Sequence, residues 1–533
     1  EPSGSNGIAI APANTTGGHA LLLINPHTSF YFRAEQQVTS DAGLNAYGAA
    51  TWGQFFVYQG FNAHAGWMHT TSSVDSIDEF AEILALTGNS PSGYQHGGKL
   101  QPIITRQITL NVRQRDGSLK PRSFTTWATL HGPIVRREGD RWISASLMHM
   151  PVEALSQSFL RTKAQNYAGF AKVMQIGANS TNNTVFADSK GTIAFLPPQF
   201  IPRRADSVDR TKPVDGSNAA LDWQSVLPLS ETPAIINPAT GWLANSNNGP
   251  WSAAGSASPV RANFPRYMDS VGENPRGVHA SRLLDGVRGW TLDGLVTAAY
   301  DPALPAFDRM LPPLFAAFDA LPAGDAQRVR LGAPVTVLRG WNRRWAEDSV
   351  PTSLAVFWGE ALWKLASASD EDDGLSVYEA MLSRTTPAQK LAALDSAVAR
   401  LTDDFGKWAT PWGEINRFQR LDGAIAPHFD DSKPSLPVGF TSGQWGSLAS
   451  FGARAWPGTK RYYGTSGNSF VAVVEFGPRV KARAVTAGGQ SGHPDSPHFD
   501  DQAQRYTTGD LRAVYYYPDE LAGHVARRYR PGE

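Results

Sequence analysis

The sequence lacks cysteine altogether. None of its 533 residues carries a thiol, so disulfide bonds, thiolate catalysis and cysteine-ligated metal centres are excluded. It also lacks an excess of either charge, because 48 lysine and arginine residues face 48 aspartate and glutamate residues. Proteins whose main task is to bind nucleic acid carry a basic excess or a basic stripe. We therefore expect no nucleic-acid partner.

Long apolar runs are missing as well. The longest aliphatic stretch is Leu21-Leu22-Leu23-Ile24, far short of the ~20 apolar residues that cross a bilayer. We therefore expect no membrane partner. The first residues, Glu1-Pro2-Ser3-Gly4, have neither the basic nor the apolar region of a signal peptide. We expect that a signal was removed or that the chain was cut from a longer precursor.

Glycine, proline and aromatic residues are abundant instead. There are 50 glycines and 37 prolines, and aromatic residues make up 11% of the chain, with 16 tryptophans. Charged residues reach only 18%, against about 25% in an average domain. The composition indicates a loop-rich globular protein with a large aromatic core. Its length allows about three domains or one large domain.

The hydrophobic pattern divides the chain into consecutive parts. From residue 5 to 276, short apolar or alternating runs bounded by turn signals predict a β-rich part, with long loops over 201–275. From 277 to 411 the apolar period becomes helical, and from 412 to 533 strands return. With residues 1–4 as a linker, this order predicts an α+β fold with a mainly helical insertion.

The same pattern predicts individual elements. Strands are expected at 20–24, 54–58, 103–112, 125–130, 184–187 and 470–476. Helices are expected at 77–86, 167–175, 354–366 and 387–401. The acidic run 370–373 is expected to be a solvated loop.

A short N-terminal segment combines a serine with small neighbours. Gly4-Ser5-Asn6-Gly7 precedes an apolar β-run. If the chain were cut before Ser5, that residue would carry both a hydroxyl and a free α-amine. An α-amine has a pKa near 7.7–8.0, so it can take the proton from its own Oγ at neutral pH. On composition alone, a flexible linker explains the same segment.

A C-terminal loop holds a different candidate site. His493 and His498 lie near Asp495, Asp500 and Asp501. These side chains could bind a hard metal ion. A polar loop that hydrogen-bonds to itself is the alternative.

Several blocks follow one another in a recognisable order. They are Ser5-Asn6-Gly7-Ile8-Ala9-Ile10-Ala11-Pro12 with Leu21-Leu22-Leu23-Ile24-Asn25-Pro26-His27, then Gly66-Trp67-Met68-His69-Thr70-Thr71, Leu130-His131-Gly132-Pro133, Asn245-Ser246-Asn247-Asn248 and Gly489-Gln490-Ser491-Gly492-His493-Pro494. Together they resemble the β-subunit of the penicillin acylase family of N-terminal nucleophile hydrolases. The resemblance extends from Ser5 to about Tyr517.

This resemblance implies a fold and an activity. The fold would be a four-layer αββα sandwich, and the activity N-acyl amide hydrolysis through an acyl-enzyme. Ser5 would be the nucleophile with its own α-amine as base, and the Thr71 N–H and the Asn247 amide would stabilise the oxyanion. His27 would orient the α-amine, and Arg276 would hold Asn247. A core histidine and a structural arginine are the alternatives for the last two residues.

The resemblance also implies partners and a location. Catalysis would need no cofactor, but Asp75, Ile77 and Asp78 resemble the calcium loop of penicillin G acylases. Acids at a helix N-terminus would explain the same residues. The partners would be an α-subunit, cut from the same precursor by autocatalytic processing of a zymogen, and a small-molecule N-acyl substrate. The location would be periplasmic or secreted.

The sequence departs from the family pattern at two points. Ser5 is not residue 1, and Asn468 stands where some cephalosporin acylases have glutamate beside the histidine. The aromatic residues that could line an acyl pocket, or simply pack in the core, are Phe30, Tyr31, Trp52, Phe55, Phe56 and Tyr58. A non-catalytic extracytoplasmic binding protein with an aromatic-lined cleft is the alternative function.

Overall fold

The computed structural model describes residues 4–179, 181–367, 377–530 and 532. The strands are β1 (Ser5–Ile10), β2 (Leu21–Ser29), β3 (Arg33–Ser40), β4 (Leu44–Thr51), β5 (Gln59–Phe61), β6 (Ala65–Thr71), β7 (Asp78–Glu82), β8 (Leu84–Thr87), β9 (Ser90–His96), β10 (Lys99–Pro102), β11 (Ile104–Arg113), β12 (Leu119–Thr129), β13 (Gly132–Glu138), β14 (Arg141–Ser146), β15 (Asn182–Asp188), β16 (Ile193–Leu196), β17 (Val214–Asp215), β18 (Ile235–Ile236), β19 (Trp242–Asn245), β20 (Asn416–Phe418), β21 (Leu436–Pro437), β22 (Phe451–Ala455), β23 (Tyr462–Asn468), β24 (Phe470–Phe476), β25 (Val480–Thr486) and β26 (Arg512–Ala513). The α-helices are α1 (Pro151–Leu160), α2 (Tyr167–Met174), α3 (Pro275–Leu284), α4 (Leu292–Ala299), α5 (Ala306–Asp319), α6 (Ala326–Arg339), α7 (Val350–Ser367), α8 (Val377–Ser383), α9 (Pro387–Phe405), α10 (Trp412–Ile415) and α11 (Ala503–Thr508).

Within the described ranges the strands form four sheets. A ten-stranded sheet runs β21-β20-β23-β2-β24-β25-β26, with β1 and β19 branching from β2 and β22 beside β23. A seven-stranded sheet runs β18-β16-β15-β6-β5-β4-β3. The smaller sheets run β11-β12-β13-β14-β7-β17 and β10-β9-β8.

The ten-stranded and seven-stranded sheets share one apolar core. A cluster of buried side chains takes Leu22 and Ala472 from the larger sheet and Phe61 and Val185 from the smaller one. Every residue of β1 is buried. Strands covered on both faces need apolar side chains at successive positions, which is why Leu21–Ile24 is a continuous apolar run.

Helices cover the other faces of these two sheets. Leu284 of α3 and Leu295 of α4 share a buried cluster with Ile8 of β1. On the seven-stranded sheet, Phe170 of α2 packs in a cluster with Trp67 of β6. The protein therefore has a mixed α/β architecture in which helices pack on sheets.

A group of helices in the second half of the chain has its own core. Helices α5 to α9 contribute side chains to one cluster that also contains Trp358 and Trp445. Thr386 caps α9 by accepting from the Gln389 N–H, while the Gln389 side chain bonds back to the Thr386 N–H. The boundaries of the predicted parts stay predictions. None of the described helices combines the length and apolarity that a bilayer crossing requires.

Most of the predicted elements are confirmed, and two are wrong. Strands cover nearly all of 20–24, 103–112, 125–130, 184–187 and 470–476, and helices cover most of 167–175, 354–366 and 387–401. The predicted helix at 77–86 is instead β7 and β8, because the side chains of β7 alternate in burial and pair with β14. The predicted strand at 54–58 is irregular, and the strand begins at Gln59. The acidic run 370–373 lies outside the described residues.

Candidate active site

Ser5 begins β1 at a point where this strand loses one of its two neighbours. β19 pairs with β1 only as far as the Gly7–Asn245 pair. The register would place Asn247 opposite Ser5, but Asn247 has φ +69° and the chain turns away there. The Ser5 N–H and C=O therefore need partners other than a strand.

Two side chains provide these partners. Asn247 Oδ1 accepts from the Ser5 N–H at 2.7 Å, and Arg276 Nη1 donates to the Ser5 C=O at 2.9 Å. Arg276 Nη2 donates to the same Asn247 oxygen at 2.9 Å. Asn247 Nδ2 donates to the Thr71 C=O at 3.0 Å. These contacts bring Ser5, Thr71, Asn247 and Arg276 together, while their catalytic roles stay predictions.

Arg276 is fixed by the start of α3. Asn274 caps this helix by accepting from the N–H groups of Arg276 and Gly277, and Pro275 occupies the first turn. Arg276 is buried, and burial lowers the pKa of its guanidinium to about 10. It therefore remains a cation at neutral pH. A Cβ at Gly4 would lie 2.8 Å from Arg276 Nη2, so a side chain at this position would displace the guanidinium group.

The Gly4–Ser5 peptide bond is surrounded by donors. The Ser5 hydroxyl donates to the Gly4 C=O at 2.6 Å, and the His27 N–H donates to the same oxygen at 2.8 Å. The His27 N–H also lies 3.4 Å from Ser5 Oγ. The hydroxyl oxygen of Ser5 thus lies beside a carbonyl group that accepts two hydrogen bonds. The Ser5 nitrogen is an amide in this chain, so it is not basic.

The His27 ring points at amide side chains. Its Nε2 lies 3.0 Å from Asn25 Oδ1 and 3.3 Å from Asn6 Nδ2. Burial and the positive charge of Arg276 hold the pKa of His27 well below its usual value. The ring is therefore neutral at physiological pH. What reaches Ser5 is the main-chain N–H of His27 rather than the imidazole.

Sequence reasoning assigned no role to the buried amides around this ring. Asn6 Nδ2 donates to Asn25 Oδ1 at 2.9 Å, and Arg276 Nη1 donates to Asn6 Oδ1 at 2.9 Å. Asn25 Nδ2 donates to Asn468 Oδ1 at 3.0 Å, so the network beside the imidazole consists of neutral amides. The sequence signal for these amides is Asn25, a polar residue that directly follows the apolar run Leu21–Ile24 of β2.

A cavity of about 950 Å³ opens at this end of β1. Gly4, His27 and Asn247 line one side of it, and Trp363 and Tyr378 from the helical region line another. Ser5 is not among the lining residues, but its neighbour Gly4 and its partners Asn247 and Arg276 are. The size is that of a small-molecule site.

The predicted aromatic pocket is divided between two places. Phe30, Tyr31 and Trp52 line a second cavity of about 460 Å³. Phe55 is exposed and Phe56 is buried, and both belong to the irregular segment before β5. The six aromatic side chains therefore do not form a single acyl pocket.

The predicted calcium ligands have cationic neighbours. Asp78 Oδ1 lies 2.6 Å from Arg204 Nη1, and Asp78 Oδ2 lies 2.8 Å from Arg210 Nη1. Asp75 lies 3.2 Å from Arg204, and the Ile77 side chain is exposed. Because two guanidinium groups already compensate the Asp78 carboxylate, these residues do not favour a calcium ion. The calcium expectation stays a prediction.

The C-terminal histidine loop is exposed. His498 Nδ1 lies 2.9 Å from a carboxylate oxygen of Asp501, and His493 is exposed as well. These contacts fit a polar loop bonded to itself.

The chain matches one family model along nearly all of its length. The penicillin amidase model covers residues 1–523. The acyl-homoserine lactone acylase PvdQ of Pseudomonas syringae is 24% identical over 578 residues, covering 98% of this chain and 70% of that protein. The penicillin G acylase of Escherichia coli is 27% identical over 336 residues, covering 61% of this chain and 38% of that protein.

A solved structure shares the fold. The thermostable penicillin G acylase of Alcaligenes faecalis superposes with a TM-score of 0.68 and 18% sequence identity. The match covers 98% of this chain and 98% of that one. At this identity the likeness concerns the fold alone.

Proposed function

The chain belongs to the penicillin amidase family, and from this premise we propose that it is an N-acyl amide hydrolase whose nucleophile is Ser5. One observation carries the proposal. A single Asn247 oxygen accepts from both the Ser5 nitrogen and the Arg276 guanidinium. The nitrogen that would become the α-amine is thereby linked through one amide oxygen to a buried cation, next to the cavity that Gly4 and Asn247 line.

The first step would be self-cleavage of the chain. Ser5 Oγ attacks the Gly4 carbonyl carbon, and the Gly4–Ser5 C–N bond breaks as the nitrogen takes up the hydroxyl proton. The product is an ester between Gly4 and Ser5 Oγ, which water hydrolyses to a Gly4 carboxyl group and a free Ser5 α-amine. The His27 N–H, 2.8 Å from the Gly4 oxygen, would stabilise the charge that develops on that oxygen.

The mature site would repeat this chemistry on a substrate. The α-amine takes the proton of Ser5 Oγ, which attacks the substrate carbonyl and releases the free amine. The Thr71 N–H and the second hydrogen of Asn247 Nδ2 would stabilise the oxyanion. Water then hydrolyses the acyl-serine ester to a carboxylic acid. His27 would act as a positioning residue, because its ring contacts Asn25 rather than the hydroxyl of Ser5.

We base the expected substrate, partner and location on the family resemblance. We expect a small N-acylated amine of the β-lactam, acyl-homoserine lactone or N-acyl amino acid type. An α-subunit cut from the same precursor would complete the enzyme, in the periplasm or outside the cell. The packing of helices and sheets around two facing sheets supports the four-layer αββα arrangement.

Two measurements test the proposal. Mass spectrometry of the purified chain should show an N-terminus at Ser5, and the Ser5→Ala variant should keep the Gly4–Ser5 bond. A panel of N-acylated amines, scored for release of free amine, should identify substrates of the wild-type protein. Self-cleavage by purified Ser5→Ala would contradict the proposal. An intact chain without any amide turnover would favour the alternative, a binding protein with an aromatic-lined cleft.

A further inference from the structure

Side chains from four separate segments meet at a second polar cluster. Glu82 ends β7, His96 ends β9, His131 lies in the turn between β12 and β13, and Asp222 follows a short 3₁₀ turn. His131 Nε2 lies 3.0 Å from Asp222 Oδ1, and His96 Nε2 lies 3.2 Å from Asp222 Oδ2. None of these residues lines the cavity at Ser5.

The other nitrogen of each imidazole faces an acceptor. His96 Nδ1 lies 3.1 Å from the Gly216 C=O, and His131 Nδ1 lies 2.9 Å from Glu82 Oε1. A carbonyl or carboxylate oxygen can only accept, so both Nδ1 atoms carry the hydrogen. A neutral imidazole has a single N–H group. In the neutral rings both Nε2 atoms then direct a lone pair at the Asp222 carboxylate, which is repulsive unless a metal cation lies between them or each Nε2 binds a proton.

Hydrogen bonds and a stacked ring hold Glu82 and His131 in place. Glu82 Oε1 also accepts from Thr129 Oγ1 and from Ser144 Oγ, both at 2.7 Å. The ring of Phe80, two residues earlier on β7, stacks on His131 at 3.8 Å between centroids and 4° between planes. His131 is therefore fixed in position and orientation before any ligand binds, as in metal sites whose histidines donate their second N–H to a carboxylate.

We propose that His96, His131 and Asp222 form a binding site for Zn²⁺, separate from the site at Ser5. Their ligand atoms all lie within 4.8 Å of one another. Zinc binds nitrogen and oxygen at about 2.0–2.2 Å, so ligands of a tetrahedral site are about 3.3 Å apart, close to the 3.0 and 3.2 Å between the two Nε2 atoms and the Asp222 oxygens. Two neutral imidazoles and a carboxylate are a donor set that zinc accepts. Asp222 is partly exposed, which leaves room for water as the fourth ligand.

The charge of the cluster supports a divalent ion. Glu82 and Asp222 together bring two negative charges, and an imidazole that binds a metal through Nε2 brings none. One Zn²⁺ would neutralise both carboxylates and would join three segments that are far apart in the chain. Without the metal, each Nε2 would need its own proton instead, so that the cluster would be two imidazolium–carboxylate pairs.

Zinc titration of the purified protein tests this proposal. After removal of metals with a chelator, calorimetry and elemental analysis should find one Zn²⁺ per chain in the wild-type protein. His96→Gln and Asp222→Asn should each weaken binding at least tenfold, because each removes one of three protein ligands. Both residues are partly exposed, so circular dichroism should show that the variants fold. His498→Gln is the matched control, since it removes a histidine from an exposed histidine–aspartate pair.

A spectroscopic measurement gives an independent result. Co²⁺ added in place of Zn²⁺ should produce the visible absorption of a tetrahedral site in the wild type and in His498→Gln, and Zn²⁺ should remove it. Absence of stoichiometric zinc binding in the wild type would overturn the proposal. Equal zinc affinity of the wild type, His96→Gln and Asp222→Asn would overturn it as well, and would leave two ion pairs as the description of the cluster.

Discussion

Arg276 should control the basicity of the nucleophile's own amine. The Ser5 nitrogen and Arg276 Nη2 contact the same Asn247 oxygen, at 2.7 and 2.9 Å, so the two nitrogens are within about 6 Å of each other. Two unit charges at about 6 Å repel by about 3 kcal/mol at an effective dielectric constant of about 20. That equals about two pKa units. The pKa of a free Ser5 α-amine should therefore lie below the usual range of about 7.7–8.0.

Removing this charge should move the pH profile of the enzyme. Only the neutral amine can act as a base, so kcat/KM rises with pH through the α-amine pKa. In Arg276→Met we expect this rising limb to move about one to two units to higher pH. In Arg276→Lys the charge remains but the forked hydrogen bonds are lost. We therefore expect a lower plateau and a limb that stays within about half a unit of the wild type.

The assay is kcat/KM against pH on processed protein. Mass spectrometry first measures the fraction of each variant that begins at Ser5, so that defective processing is not mistaken for defective catalysis. An unchanged limb in Arg276→Met would refute the electrostatic reasoning. So would equal displacement of the limb in the methionine and lysine variants, because charge would then not be the cause.

Three further perturbations test other parts of the site. Asn247→Ala should lower kcat by roughly 10²–10³, the usual effect of losing one oxyanion donor. A change confined to KM would place Asn247 in substrate binding. The same measurement on Asn245→Ala shows whether Asn245, rather than Asn247, is the oxyanion donor. His27→Gln should keep the rising limb of kcat/KM against pH, since glutamine can hydrogen-bond without titrating. Loss of this limb together with a rate decrease of about 10²–10⁴ would identify His27 as the base. Arg204→Met should cost about 2–3 kcal/mol in the free energy of unfolding, because the buried Asp78 carboxylate loses a charged hydrogen bond; an unchanged denaturant midpoint would contradict this.

Much of the fold could be predicted from local patterns. The strand at Leu21–Ser29 was visible because burial on both faces selects a continuous apolar run. The helix predicted at 77–86 was wrong because the acidic residues of this segment suggest a helix N-terminus. In the structure, β7 buries alternate residues, including two carboxylates. Asp78 and Glu82 are buried only because partners from distant segments compensate them, and no local pattern shows such partners.

The site could be predicted only in part. Asn247 and Arg276 lie 242 and 271 residues after Ser5. Their proximity to Ser5 could therefore be predicted from the order of the family blocks, but not from sequence spacing. The contact between Asn6 and Asn25 depends on the register of β1 and β2. The His131 block was recognised without a role, because its polar contacts come from other segments of the chain.

The most direct test of the central claim is to find the residue that carries the acyl group. The processed enzyme is mixed with a slowly hydrolysed N-acyl amide, quenched with acid, digested and mapped by mass spectrometry. We predict one acyl group, as an ester on the peptide that begins at Ser5, and none in Ser5→Ala. An acyl group on another residue, or amide turnover by a protein whose Gly4–Ser5 bond is intact, would contradict Ser5 as an N-terminal nucleophile.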